Sequence, residues 1–155
     1  MPDTPARPPL RLREFLPYRL SVLSNTISRR IAEIYDREFG LTIWQWRVMA
    51  VTGDTPGISA TDIGQRTAMD KVAVSRAVAG LIELGYIERK AAEEDGRRSM
   101  LYLSRTGQSV YDEIVPMAMS EEQALEAVLT PDERKELTRL MDKLAASASP
   151  GRPLW

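Results

Sequence analysis

Apolar residues recur every three or four positions between Phe15 and Phe39, at Leu20, Leu23, Ile27, Ile31 and Ile34, which places them along one stripe of a helix. A long first helix is expected, with Pro17 near its start, where a missing amide donor costs little, and Gly40 closing it. Thr42 and Gln45 have the spacing of a capping box and open a second helix from Ile43 to about Thr52. Gly53 to Gly57 is a turn by composition. Ser59 with Asp62 opens a short helix that ends near Thr67 and turns Ala60 and Ile63 inward, and Asp70 opens a longer one from Lys71 to Leu84. In the longer helix Val74, Ala77, Val78 and Leu81 form the buried stripe. Val72, Ala73, Arg76, Ala79 and Gly80 point away from it, with Lys71 and Ser75 on one flank.

After Gly85 the period changes from helical to two. Tyr86 to Lys90 and Ser99 to Leu103 read as strands, with Met100 and Tyr102 on one side of the second and Leu101 and Leu103 on the other. Asp95-Gly96 is a hairpin turn dipeptide, followed at once by Arg97-Arg98. Ser104 caps a helix reaching about Leu129, in which Pro116 predicts a kink or break near Asp112 to Val115. Thr130, Pro131 and Glu133 mark the start of a last helix that keeps Leu137, Leu140, Met141 and Leu144 in register. The predicted fold is mainly α (α+β): a winged helix-turn-helix over 41–104, between long helical segments at 15–40 and 105–147. Residues 1–14 form a flexible N-terminal arm and 148–155 a C-terminal tail.

Composition narrows the chemistry. The chain has 155 residues, 43% of them hydrophobic, room for one well-buried domain with helical extensions. It has neither cysteine nor histidine. That removes disulfides, thiolate redox sensing, most zinc sites and the commonest general base, so no cofactor or metal is expected and catalysis is disfavoured. No phosphate-binding glycine loop is present, and the acid pairs Glu93-Glu94 and Glu121-Glu122 read as surface charge. Apolar runs are too short to span a membrane and the first residues have no secretory h-region, so a cytoplasmic location and no membrane partner are expected. The net charge of −1 conceals an uneven distribution: residues 1–30 carry six arginines against Asp3 and Glu14, whereas 108–146 carry nine acids against four bases.

An α-helix that enters the DNA major groove must lack bulk on the groove side and offer a forked donor. Arg76 could bond guanine O6 and N7 together, and Val72 or Ala73 could meet thymine methyls. Lys71 and Ser75, with Ser59 and Thr61 at the start of the short helix, suit phosphate oxygens. A solvent-facing helix would carry the same small residues, so the face is not decisive alone. The hairpin that follows favours the DNA reading, because Arg97 and Arg98 at its tip suit a narrow minor groove. Trp44, Trp46 and Arg47 lie together on the second helix, where the indoles serve either a helical core or a ligand pocket.

Ser75-Arg76 and Leu81, then Gly85-Tyr86-Ile87-Glu88-Arg89, Asp95-Gly96-Arg97-Arg98, and Leu103-Ser104 with Gly107 stand in an order that resembles the MarR family of bacterial transcription regulators. The likeness covers roughly residues 15 to 145. It implies a homodimer on a pseudo-palindromic double-stranded operator, with the first, fifth and sixth helices as the dimerisation layer. It also implies repression relieved by a small, often aromatic, anion. Here that would be an aromatic carboxylate or CoA thioester, with Asn25, Ser28 and Arg29 on the first helix and Trp44, Trp46 and Arg47 on the second as candidate contacts. The alternative is a winged-helix module for protein contact without its own operator.

Overall fold

The computed structural model describes residues 9–92 and 99–155. In chain order the elements are α1 (Leu16–Phe39), α2 (Ile43–Asp54), β1 (Ile58–Ser59), α3 (Ala60–Thr67), α4 (Lys71–Glu83), β2 (Ile87–Ala91), β3 (Ser99–Leu103), α5 (Arg105–Glu126) and α6 (Pro131–Ala148). Local signals account for most of these boundaries. Gly40 closes α1 in the left-handed conformation, φ 64°, and its N–H bonds the Asp36 carbonyl. Reciprocal capping boxes open α2 through Thr42 and Gln45, and α6 through Thr130 and Glu133.

Strand β2 starts one residue later than expected, because the Tyr86 backbone is taken up by bonds to Leu81 and Ser104, and α4 ends one residue early. Three further differences are larger. Helix α2 continues to Asp54, because the Thr52 hydroxyl folds back onto the Val48 carbonyl at 2.7 Å and stays inside the helix. Helix α5 stops at Glu126 instead of Leu129, and it runs without a break past Pro116. Pro116 and Asp112 both stand on the exposed side, so water can satisfy the carbonyl that the proline leaves without a partner. The third difference is β1, two residues long and too short to show alternation in sequence. It pairs antiparallel with β3 through Ile58 and Leu101, and turns the expected hairpin into a sheet of order β1-β3-β2.

A single buried cluster joins α1 to α5, with Tyr35, Met49, Ile63, Leu81, Leu101 and Ile114 each at 1% exposure or less. The first turn of α5 closes on the turn after α4. Ser104 donates its N–H to the Tyr86 carbonyl at 2.9 Å and its hydroxyl to the Gly85 carbonyl at 2.5 Å. Gly107 sits directly beneath, where a Cβ would fall 1.9 Å from the Tyr86 oxygen.

The apolar stripe of α1 divides in two. Ile27, Ile31 and Ile34 are partly covered, whereas Leu16, Leu20 and Leu23 stay exposed. Helix α6 has no buried residue, and Leu137, Leu140, Met141 and Leu144 are each more than 40% exposed.

Candidate nucleic-acid interface

Helices α3 and α4 meet across a tight turn at 68–70. Ala68 adopts a left-handed φ of 52° without being glycine, and Met69 beside it is buried. Ser59 caps α3 by accepting the Asp62 N–H at 3.1 Å. The expected return bond from the Asp62 carboxylate is redirected, because that carboxylate accepts the Ser59 hydroxyl at 2.6 Å instead. Ile63 is buried as expected, but Ala60 is exposed: as the first helical residue it stands at the rim rather than over the core. Thr61 is also exposed.

Asp70 opens α4 by accepting the Ala73 N–H at 2.8 Å. Val74, Ala77, Val78 and Leu81 are buried as the periodicity predicts. The outward face is narrower than predicted. Val72 is 59% exposed, and Lys71, Ser75, Arg76 and Ala79 are open, but Ala73 packs against the core cluster. Gly80 also lies at a contact, since a Cβ there would meet Gln45 Nε2 at 2.5 Å. The physical reason is α2, which packs across α4 and brings its capping residue Gln45 over Gly80. Among the described residues no carboxylate lies within ion-pair distance of Arg76.

Strands β2 and β3 form the base of the wing, in register from Ile87 with Leu103 to Ala91 with Ser99. Lys90 stands 4.9 Å from the centre of the Tyr102 ring and 3.7 Å from Glu88. Arg97 and Arg98, with the Asp95-Gly96 turn, lie outside the described residues. Sequence reasoning did not single out Arg66, which bonds the Thr55 hydroxyl at 2.7 Å and ties α3 to the turn after α2. Arg89 was likewise passed over as a site residue. Its sequence signals are its place in the Gly85 to Arg89 segment of the family resemblance and its charge on the strand leading into the wing.

The six candidate effector residues separate into three places. Arg47 donates to Ser28 Oγ at 3.3 Å and lies 5.2 Å over the Trp44 ring, so these three do meet, on one side of the α1–α2 junction. Trp44 is half exposed. Trp46 faces the other way, between Tyr35 of α1 at 5.6 Å and Tyr111 of α5 at 6.0 Å between ring centres. It is partly buried against the core, and burial pushes the Tyr35 phenol beside it up to about 12 against the opposing pull of Arg47. Asn25 and Arg29 remain exposed on α1. A cleft of about 350 Å³ between α1 and α5, lined by Ile27, Ile31, Met119 and the Arg30–Glu121 pair, includes none of the six.

A short helix, a tight turn, a second helix with an open small-residue face and a three-stranded wing base define a winged helix-turn-helix. A model described as MarR family matches residues 39–98, from the end of α1 to the wing. The solved structure of MarR is 30% identical, covering 83% of this chain and 96% of that one with a TM-score of 0.64. A MarR/EmrR family regulator from Acinetobacter sp. ADP1 is 27% identical over 90% of this chain and 98% of its own, with a TM-score of 0.83. The curated relative BilQ, an HTH-type transcriptional regulator of Clostridium symbiosum, is 27% identical over 92 residues, 59% of this chain and 64% of its own length. The chain belongs to the MarR family.

Proposed function

We infer that this protein is a sequence-specific DNA-binding transcription regulator that acts as a homodimer on a pseudo-palindromic operator and responds to a small aromatic acid. The observation that carries the reading is the open face of α4. Arg76 stands on it with Val72 and Ala79 exposed one turn away on α4, and Lys71 and Ser75 flank it. That face lets a helix sink into the major groove, with Arg76 bidentate on guanine and the flanking residues on phosphate. Thr61 at the start of α3 takes a further phosphate oxygen, Ser59 does so once its hydroxyl turns from Asp62 to the phosphate, and Arg97 and Arg98 are assigned to the adjacent minor groove.

Dimerisation is supported by the uncovered stripes. The exposed leucines of α1 and the apolar positions of α6 leave a helical apolar stripe uncovered on each of these two helices. Two copies joined through α1, α5 and α6 cover it by symmetry and present two α4 helices to successive major grooves, one turn or about 34 Å apart.

The effector reading centres on Arg47, Trp44 and Ser28. A guanidinium over an exposed indole suits an aromatic carboxylate or the corresponding CoA thioester, by a charge-assisted bond and ring stacking. Two likenesses favour this class. A relative from Escherichia coli, 21% identical over 110 residues, is named a homoprotocatechuate degradative operon repressor. BpsR of Bordetella bronchiseptica, 22% identical, is described as having its DNA binding regulated by 6-hydroxynicotinic acid. An acid that captures Arg47 releases its bond to Ser28 and loosens one of the ties between α2 and α1. Because Gln45 of α2 rests on Gly80, the shift passes directly to α4. The two α4 helices then no longer match the half-site spacing.

The test is selection of genomic fragments on the purified protein, followed by gel-shift titration of the recovered site with aromatic acids. A recovered palindrome whose complex dissociates with one acid class supports the reading. Retention of a protein partner with no fragment enriched overturns it in favour of a protein-contact module.

A further inference from the structure

The segment after α6 returns to the reading unit. Gly151, at φ 76°, and the bond from Arg152 N–H to the Ser149 carbonyl at 3.2 Å reverse the chain at the end of α6. The Trp155 indole N–H then bonds Asp142 at 2.9 Å and fixes the returned strand. Arg152 and Leu154, two residues apart and hence on one side of an extended chain, both line a groove of about 570 Å³ formed by α3, α4 and β2. Leu154 is half-buried and lines the groove together with the buried Val74, Val78 and Met69, while Arg152 is exposed.

The rim has one sign of charge. Lys71 enters from the start of α4, Arg89 from β2 and Arg152 from the returned segment, and the described lining contains no carboxylate. The remaining polar groups, Thr61, Gln65 and Ser75, are neutral hydrogen-bonding side chains. Leu154 gives the segment an apolar reason to lie here, since it shares the lining with Met69, Val74 and Val78. The three cations have no such reason, and an anion entering the groove would offset their mutual repulsion. The groove borders the α4 flank already assigned to phosphate, so a polyanion that follows that flank passes across it.

We propose that Arg152, Arg89 and Lys71 form one clamp for the DNA sugar-phosphate backbone, with Arg152 delivered from outside the winged unit by the segment that Leu154 anchors. The proposal rests on the DNA-binding reading. Its consequence is that α6, a helix of the dimer layer, is connected by about a dozen ångströms of chain to a phosphate contact. Assembly and DNA affinity are then linked through the sequence itself.

The test is fluorescence anisotropy of the full chain with duplex DNA across a salt series, for wild type, Arg152→Ala, Arg89→Ala, Leu154→Ala and a chain ending at Ala148. Wild-type affinity should fall steeply with salt, and each arginine variant should flatten the slope of log K against log salt by about 1 per bound subunit, with sequence preference retained. Leu154→Ala and the shortened chain should reproduce the Arg152→Ala slope, because they release the same guanidinium. Circular dichroism and sedimentation confirm that fold and assembly are kept. Wild-type protein without affinity for any duplex would defeat the DNA reading itself. Normal wild-type binding with unchanged slopes in the arginine variants would defeat only the clamp. Tighter binding by the shortened chain would also overturn it, since the segment would then be a cover over the surface.

Discussion

Gly107→Ala tests the joint between the reading unit and the helical layer. The added Cβ would lie 1.9 Å from the Tyr86 carbonyl oxygen and 2.8 Å from its carbon, against backbone on both counts. No side chain can rotate out of the way, so α5 and the turn after α4 must part by about 1 Å to reach the tightest tolerable contact. Overpacking of that kind costs about 1–3 kcal/mol. The same movement stretches the two bonds from Ser104, at about 1 kcal/mol each. Alanine returns about 1 kcal/mol through its better helix propensity, leaving a net loss of about 2–4 kcal/mol. At 2–4 °C per kcal/mol for a chain of this size, the melting temperature should fall by about 4–16 °C. A thermal melt followed at the helical circular dichroism band measures this. A midpoint equal to or above wild type would refute the reasoning, because it would mean that α5 does not rest on the Tyr86 backbone. If the variant folds, its DNA affinity should fall as well, since the wing strands begin at Ile87.

Other substitutions separate the remaining roles. Arg76→Ala should cost about 1–3 kcal/mol at one position of the selected site and leave affinity for random DNA nearly unchanged, which competition with single-base variants of the site would show. Leu140→Asp in α6, where the wild-type side chain is 42% exposed, should yield monomers in sedimentation without unfolding the winged unit; an intact dimer would remove α6 from the interface. Tyr35 has a folded pKa of about 12 against 10.0 for the free phenol, so the unfolded chain loses this proton first as pH rises. Its contribution is fully present below pH 10 and is lost between about 10 and 12, at most roughly 3 kcal/mol at 1.36 per unit. Urea unfolding at pH 9 and 11.5 should show a smaller loss in Tyr35→Phe, and equal losses in both proteins would assign the effect elsewhere.

Element order was legible because helix starts here are written locally. Thr42, Ser59, Asp70, Ser104 and Thr130 each cap the helix they precede. The strand β1 was not, since two residues carry no period and its pairing with Leu101 is a long-range event. The same distinction runs through the site. Arg76 was legible from helical phase, but Gly80 was misread as outward because only the fold reveals Gln45 above it. Trp44 and Trp46 look alike in sequence, yet two positions along a helix is about 200° of rotation, enough to send one indole to solvent and the other to the core. The return of Arg152 to α4 had no sequence signal at all, because nothing local in the 149–155 segment specifies what it lies against.

Trp46 has an optical consequence. Its indole bridges three helices, with a tyrosine of α1 on one side and a tyrosine of α5 on the other, while Trp44 and Trp155 are open to water. The enclosed ring should emit at shorter wavelength than the two exposed ones and accept excitation energy from both flanking phenols. Any event that draws α2 away from α1 and α5 would therefore dim and redden that component. The protein carries its own gauge of the distance between its helical layer and its reading unit, and it needs no attached dye.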